Sequence, residues 1–175
     1  EAYLEYDDLA GRSAIRQLRA GANILVFRTL AKAYGLAGLS IGYAVAPVEL
    51  AKGLRDAGIG SAHSLSRLNL VAASAALADQ DHIARVRDWT LAGRRRLEQM
   101  IDGLGLDRTK SRANFVYFQT PDADALRIEA LKRDILIGRV FPPLSDWIRI
   151  SVGASSEVDA VEQLLRDVTG HRRPF

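Results

Sequence analysis

With 175 residues, 48% of them hydrophobic, the chain is long enough to bury a real core and fits one domain or parts of two. It contains no cysteine, which excludes disulfides, thiolate metal sites and cysteine nucleophiles, and no apolar run approaches the roughly 18 to 20 residues that cross a bilayer. The formal net charge of +3 is too small an excess to make nucleic acid the expected partner.

Leu4 to Tyr6 reads as the end of a strand, and Asn23 to Phe27 as a short strand buried on both faces, with a polar helical segment between them. A glycine-rich loop around Gly35 and Gly38 leads into Ile41 to Val45, a second buried-type strand, which Pro47 closes before a helix carrying Glu49 to Ala57. From about Ser64 to Leu104 the apolar positions, among them Leu65, Leu68, Val71, Ile83, Val86, Leu97 and Ile101, recur at helical spacing and predict two helices broken near Asp79 to Asp81. Next come a strand at Asn114 to Phe118, a helix around Asp122 to Arg133, and short strands near Leu136 to Phe141 and Trp147 to Val152. A final helix from about Ser156 to Val168 takes Ser155 or Ser156 as its cap. Strands alternating with helices imply an α/β layer architecture first and a compact α+β unit after it. The boundary is expected inside the long helical region, near residues 84 to 95, dividing the chain into 1–88 and 89–175. The basic stretch from Arg85 to Arg96, with Arg87, Arg94 and Arg95, reads as a solvated helical face. Nothing at the start is ordered like a signal peptide, so cytoplasm is the default expectation. Glu1 in place of a methionine, and an opening that falls as if in mid-strand, lead to the expectation of a fragment.

The most informative stretch is Arg28-Thr29-Leu30-Ala31-Lys32-Ala33-Tyr34-Gly35-Leu36-Ala37-Gly38-Leu39-Ser40-Ile41-Gly42-Tyr43, where Lys32 is the only charged side chain between Arg28 and Glu49. Apolar surroundings would strip solvent from its ammonium and favour the neutral amine that Schiff-base chemistry needs. Thr29, three positions earlier, can direct a hydroxyl toward a phosphate. On physical grounds alone, a lone lysine in a loop reads as a solvated surface residue.

Thr29 to Tyr43 resembles the cofactor-lysine segment of the class I and II aminotransferases, enzymes that use pyridoxal 5′-phosphate (PLP), and Gly35 to Leu39 is most similar to their histidinol-phosphate branch. The resemblance implies that Lys32 is the Schiff-base lysine and moves the proton at the substrate α-carbon. Glu1-Ala2-Tyr3 resembles the end of the family's Asp-Glu-Ala-Tyr strand, which gives Tyr3 a hydroxyl contact to the cofactor's 3′ oxygen. Trp147-Ile148-Arg149-Ile150-Ser151-Val152-Gly153 resembles its Leu-Arg-Ile-Thr-Val-Gly strand, whose arginine grips the substrate carboxylate. Alternation independently sets Arg149 on the face opposite Ile148 and Ile150, although by itself an arginine there fits a structural ion pair better. Asn114-Phe115 and Ile135 to Phe141 also resemble family segments, so the likeness runs in order from Tyr3 to Gly153. It implies the C-terminal part of the family's large domain, a mostly parallel sheet with helices, followed by a small α+β domain. It further implies a small-molecule amino acid or amino-phosphate substrate and a homodimer, with no metal, nucleic acid or membrane partner.

The sequence also departs from the pattern. Where the family has a phosphate-pairing arginine eight positions after the lysine, this chain has Ser40, and Ala31 replaces a common serine. The lost contact is of a type worth roughly 1.5 to 3 kcal/mol; Arg28 is a nearby positive charge, and nothing in the sequence shows that it compensates. The aspartate that pairs with the cofactor's ring nitrogen would lie one residue before Glu1, so the chain by itself is expected to have little activity. Two other readings stay open at this level: a PLP-dependent decarboxylase or lyase of the same fold, and a non-catalytic binding or dimerisation module.

Overall fold

A computed structural model describes residues 1–60 and 65–170. The chain divides into two compact units, Glu1–Arg87 and Asp88–Phe175.

In the first unit Leu4–Tyr6, expected as a strand end, is a single 3-10 turn. The amides of Tyr6 and Asp7 donate back to the carbonyls of Tyr3 and Leu4, each at 3.1 Å, so local bonds satisfy donors that a strand would have offered to a neighbour. The polar segment after it forms α1 (Leu9–Arg12), whose cap Asp8 accepts from the Gly11 amide, and α2 (Ile15–Arg19).

Strand β1 (Val26–Thr29) starts later than the apolar run and alternates, with Val26 and Arg28 buried and Phe27 59% exposed. Its partner β2 (Gly42–Val45) is largely exposed, so neither strand is buried on both faces. The two pair antiparallel, Val26 opposite Val45 and Thr29 opposite Gly42. Residues 30–41 between them contain a 3-10 turn at Ala37–Leu39 and no α-helix; a connection of this kind returns the chain beside β1 instead of crossing over to a parallel position. The mixed α/β class stands, and both described sheets are antiparallel pairs.

Helix α3 (Val48–Asp56) follows Pro47, and α4 (Arg67–Ala78) begins at Ser66, whose hydroxyl accepts from the Asn69 amide at 3.2 Å. Ser64, the expected start of this helical region, lies outside the described residues. The predicted break falls at Asp79, whose carboxylate caps α5 (Gln80–Gly103) by accepting from the His82 amide at 2.9 Å.

The second unit is built on the antiparallel pair β3 (Phe115–Gln119) and β4 (Trp147–Ser151), with Val116 opposite Ile150 and Phe118 opposite Ile148. These four alternate residues are buried with Leu97 and Ile101 of α5, Leu126 and Ala130 of α6 (Ala123–Leu131), and Val158, Leu164 and Leu165 of α7 (Ser155–Gly170). One sheet face therefore packs on helices, and Phe115, Tyr117, Trp147 and Arg149 lie on the other.

Three expectations are corrected in this unit. Leu136 to Phe141 forms no strand: Ile135 and Ile137 pack on the core while Leu136 is 87% exposed, so the alternation records burial without a hydrogen-bonded ladder. Helix α7 begins at Ser155, and its first turn is closed by Glu157, which accepts from the Ala154 amide at 2.6 Å. Arg94, read as part of a solvated face, is buried and donates to the Ala113 carbonyl at 2.7 Å.

Candidate active site

Lys32 sits on a tight turn. Its carbonyl accepts from the Gly35 amide at 2.9 Å, and Gly35 takes φ +71°, a conformation glycine adopts without steric cost. The flanks are anchored by apolar packing: Leu30 and Ile41 are buried with Ala73 of α4, and Tyr34, Leu36, Leu39 and Leu65 pack against them. Leu30 donates to the Ile41 carbonyl, Leu36 donates to the Leu30 carbonyl, and the Asn69 side chain donates to the Leu39 carbonyl. The loop is thus held by its leucines while the lysine projects outward.

That placement corrects one expectation, because Lys32 is exposed and not enclosed in apolar surroundings. The sequence between Arg28 and Glu49 is apolar, but its apolar side chains turn inward to pack. The Lys32 ammonium lies 5.8 Å from the centroid of the Tyr3 ring, so residues 29 positions apart meet at one point. Thr29 ends β1, half-buried, and its hydroxyl oxygen accepts from the Ala31 amide at 3.1 Å, which leaves the hydroxyl hydrogen for an acceptor.

Arg28 does something the sequence did not reveal. Its Nε donates to Glu1 at 2.8 Å, one terminal nitrogen to Glu5 at 3.1 Å and the other to the Ser13 hydroxyl at 3.1 Å. Arg28, Glu5 and Ser13 are all buried. Burial alone would push the Glu1 carboxyl up, but the Ala14 amide, the Ser13 hydroxyl and Arg28 outweigh it and hold the group below its ordinary value. Tyr6 and Tyr34 are both pushed up, chiefly by burial and further by the Glu5 charge. A guanidinium shared between two carboxylates is not available to an incoming phosphate, so Arg28 does not replace the arginine missing at Ser40.

In the second unit Arg149 is half-buried, and its guanidinium carbon lies 5.2 Å from the Phe115 ring centroid and 5.5 Å from that of Phe141. Arg139 approaches the same Phe141 ring at 5.1 Å. Tyr117 stands opposite Arg149 in the β3–β4 register and packs on Trp147 with centroids 5.2 Å apart. Among the described residues no carboxylate pairs with Arg149, which removes the structural ion pair as its explanation. Arg149 also lines a cavity of about 550 Å³ with Gly138, Ile137, Ser151 and Ser156. Neither Arg139 nor Phe141 was singled out as a site residue from sequence, since Phe141 meets the Arg149 guanidinium only through the tertiary fold.

An exposed primary amine with a phenol beside it suits an aromatic aldehyde that carries a ring oxygen, and Thr29 offers a hydroxyl to an attached phosphate. Among the described residues no group of three or more His, Cys, Asp or Glu could hold a metal ion, and no helix is long and apolar enough to cross a membrane.

Comparison with known proteins bears on this arrangement. The family model for aminotransferase class I and II matches residues 3–168. A histidinol-phosphate aminotransferase of Limosilactobacillus fermentum is 36% identical over 95% of this chain and 45% of its own length. Another, of Aromatoleum aromaticum, is 37% identical over 93% and 47%. The crystal structure of histidinol-phosphate aminotransferase from Sinorhizobium meliloti in complex with pyridoxal-5′-phosphate superposes with a TM-score of 0.82 at 30% identity, over 98% of this chain and 48% of that one. The chain spans about half the length of the curated relatives it matches.

Proposed function

From the fact that this chain belongs to the aminotransferase class I and II family, we propose that the whole protein is a PLP-dependent aminotransferase with Lys32 as its cofactor lysine. The observation that carries the reading is the meeting of Lys32 and Tyr3 on a turn held rigid by its own leucines. Residues 1–88 then belong to the cofactor-binding domain and 89–175 to the small domain.

When bound, PLP supplies an aldehyde for attachment to an amine and a ring that takes up the electron pair left at a substrate α-carbon. Lys32 Nζ would hold the cofactor and, once released from it, would take the proton from the substrate α-carbon and deliver it to the cofactor carbon that bore the aldehyde. The Tyr3 hydroxyl would donate to the cofactor's ring oxygen, and Thr29 would donate to its phosphate. Arg149, flanked by aromatic rings and with no carboxylate partner among the described residues, would hold an anionic group of the substrate through two parallel hydrogen bonds, as the resemblance implies. That group is the carboxylate of a 2-oxo acid or amino acid, or the phosphate of an amino-phosphate such as histidinol phosphate. The relatives' names support the amino-phosphate. A homodimer, as the resemblance implies, completes the reading, with cytoplasm as the default location.

The test is to incubate the chain with PLP, reduce with borohydride and map the modified peptide by mass spectrometry. Stoichiometric label confined to Lys32, and absent after Lys32→Arg, is the expected result. Label scattered over Lys52, Lys110 and Lys132, or no label, would show that this half cannot form the site by itself, and the same outcome with the full-length protein would overturn the assignment.

A further inference from the structure

Behind the Lys32 turn lies the buried ionic junction of Arg28, Glu1, Glu5 and Ser13, which the reaction does not call on. Two carboxylates share one guanidinium there, with side-chain exposures of 17% for Glu1, 2% for Glu5 and 5% for Arg28. Such a group is a poor device for stability: desolvation of buried charges offsets most of their attraction, and apolar residues of similar volume commonly serve as well or better. What buried ion pairs do well is fix register. Here the register in question joins the segment that carries Tyr3 to the strand that leads into Lys32.

Glu1 and Glu5 flank Tyr3 on both sides, and Arg28 precedes Lys32 by four residues. The Glu1 amine donates to the Phe27 carbonyl at 2.9 Å, and the Glu1 carboxylate accepts from the Ala14 amide at 2.6 Å. Ser13 accepts from Arg28 and from the Ile15 amide at 3.2 Å, which brings the start of α2 into the same junction. Apolar packing nearby, Tyr6, Ala33 and Ile83 with Tyr3, Tyr34 and Val86 against them, is not directional and does not by itself choose one register. The planar guanidinium does, because its three donors point at three fixed acceptors.

We propose that Arg28 is a positioning residue that, through Glu1, Glu5 and Ser13, fixes the Tyr3 ring against the Lys32 amine. Its relevance to catalysis rests on Lys32 being the cofactor lysine; its geometry does not.

The experiment uses the four lysines of the chain, Lys32, Lys52, Lys110 and Lys132, reductively methylated with carbon-13 and read by NMR. Tyr3→Leu identifies the Lys32 signal and the displacement that the Tyr3 ring current gives it. Arg28→Met should abolish that displacement. Arg28→Lys, which keeps a charge but cannot serve three acceptors, and Ser13→Ala, which leaves no charge unpaired, should each remove at least half of it. The signals of Lys52, Lys110 and Lys132 should stay in place, and PLP labelling at Lys32 should fall several-fold in the same variants. Survival of the full displacement in Arg28→Lys and Ser13→Ala would overturn the proposal, whether or not Arg28→Met folds. If the displacement behaves as expected while the full-length protein takes no PLP at Lys32, the cofactor assignment fails and the positioning role stands.

Discussion

Arg28 and Arg149 are the same residue type in opposite situations, one sharing two carboxylates and the other lying between aromatic rings with no described acid beside it. The first is committed to structure, and the second, on the proposed function, would take an anion. Replacing Arg149 by methionine should therefore weaken binding of the anionic substrate by about tenfold to a hundredfold, as expected for a charge-assisted bond of roughly 1.5 to 3 kcal/mol. PLP labelling of Lys32 should not change; a parallel loss of labelling would assign Arg149 elsewhere. Ser40, left-handed at φ 47° in the place of the family's phosphate-pairing arginine, gives a gain-of-binding test. Ser40→Arg pays no new backbone strain, since both are L residues with a Cβ, and should tighten PLP about tenfold in an absorbance titration. The depressed Glu1 carboxyl sets a pH dependence. Its folded value lies below its unfolded one, so the stabilisation it gives is present above the ordinary glutamate range, near pH 4.3, and is lost as pH falls through the folded value. Urea midpoints between pH 3 and 6 should climb more steeply with pH for the native chain than for Glu1→Gln. Equal slopes would remove Glu1 from the account.

Two glycines show how elements constrain the site. Gly42 of β2 faces the Arg28 carbonyl so closely that an added methyl group would collide with backbone. Gly42→Ala should destabilise the chain by about 1 to 3 kcal/mol and lower PLP labelling of Lys32, because β1 must move and carries Thr29 with it. Gly93 of α5 has its own close neighbour, Val152 Cγ1, 2.6 Å from where a Cβ would stand. Gly93→Ala should cost a similar amount, about 1 to 3 kcal/mol, and leave labelling of Lys32 intact. Labelling lost in both or kept in both would show that β1–β2 packing does not control the lysine turn.

At the scale of the whole chain the described core is uneven. The second unit packs one continuous cluster around Phe118, Ile148 and Leu164, whereas the first has two small clusters of three buried residues each. Amide exchange should accordingly be slowest in β3, β4 and α7 and faster throughout β1 and β2; uniform protection would contradict this. Much of the arrangement was legible beforehand. Helical spacing, the break at Asp79, the Gly35 turn, the lysine within it and the face of Arg149 all depend on residues a few positions apart; the roles of Tyr3, Thr29 and Lys32 are what the family likeness implies. Wrong or missing were the strand at Leu4–Tyr6, the ladder at Leu136 to Phe141, the enclosure of Lys32, and the burial of Arg28 and Arg94. Each of these turns on which distant group a side chain or amide meets. The sequence by itself determined the elements, the chemistry on offer and the family, because periodicity, turns and motifs are local. Only the tertiary structure decided that Arg28 is taken by Glu1 and Glu5 while Lys32 is exposed and Arg149 has no carboxylate partner among the described residues, because ionic partners 23 to 27 residues apart leave no pattern along the chain.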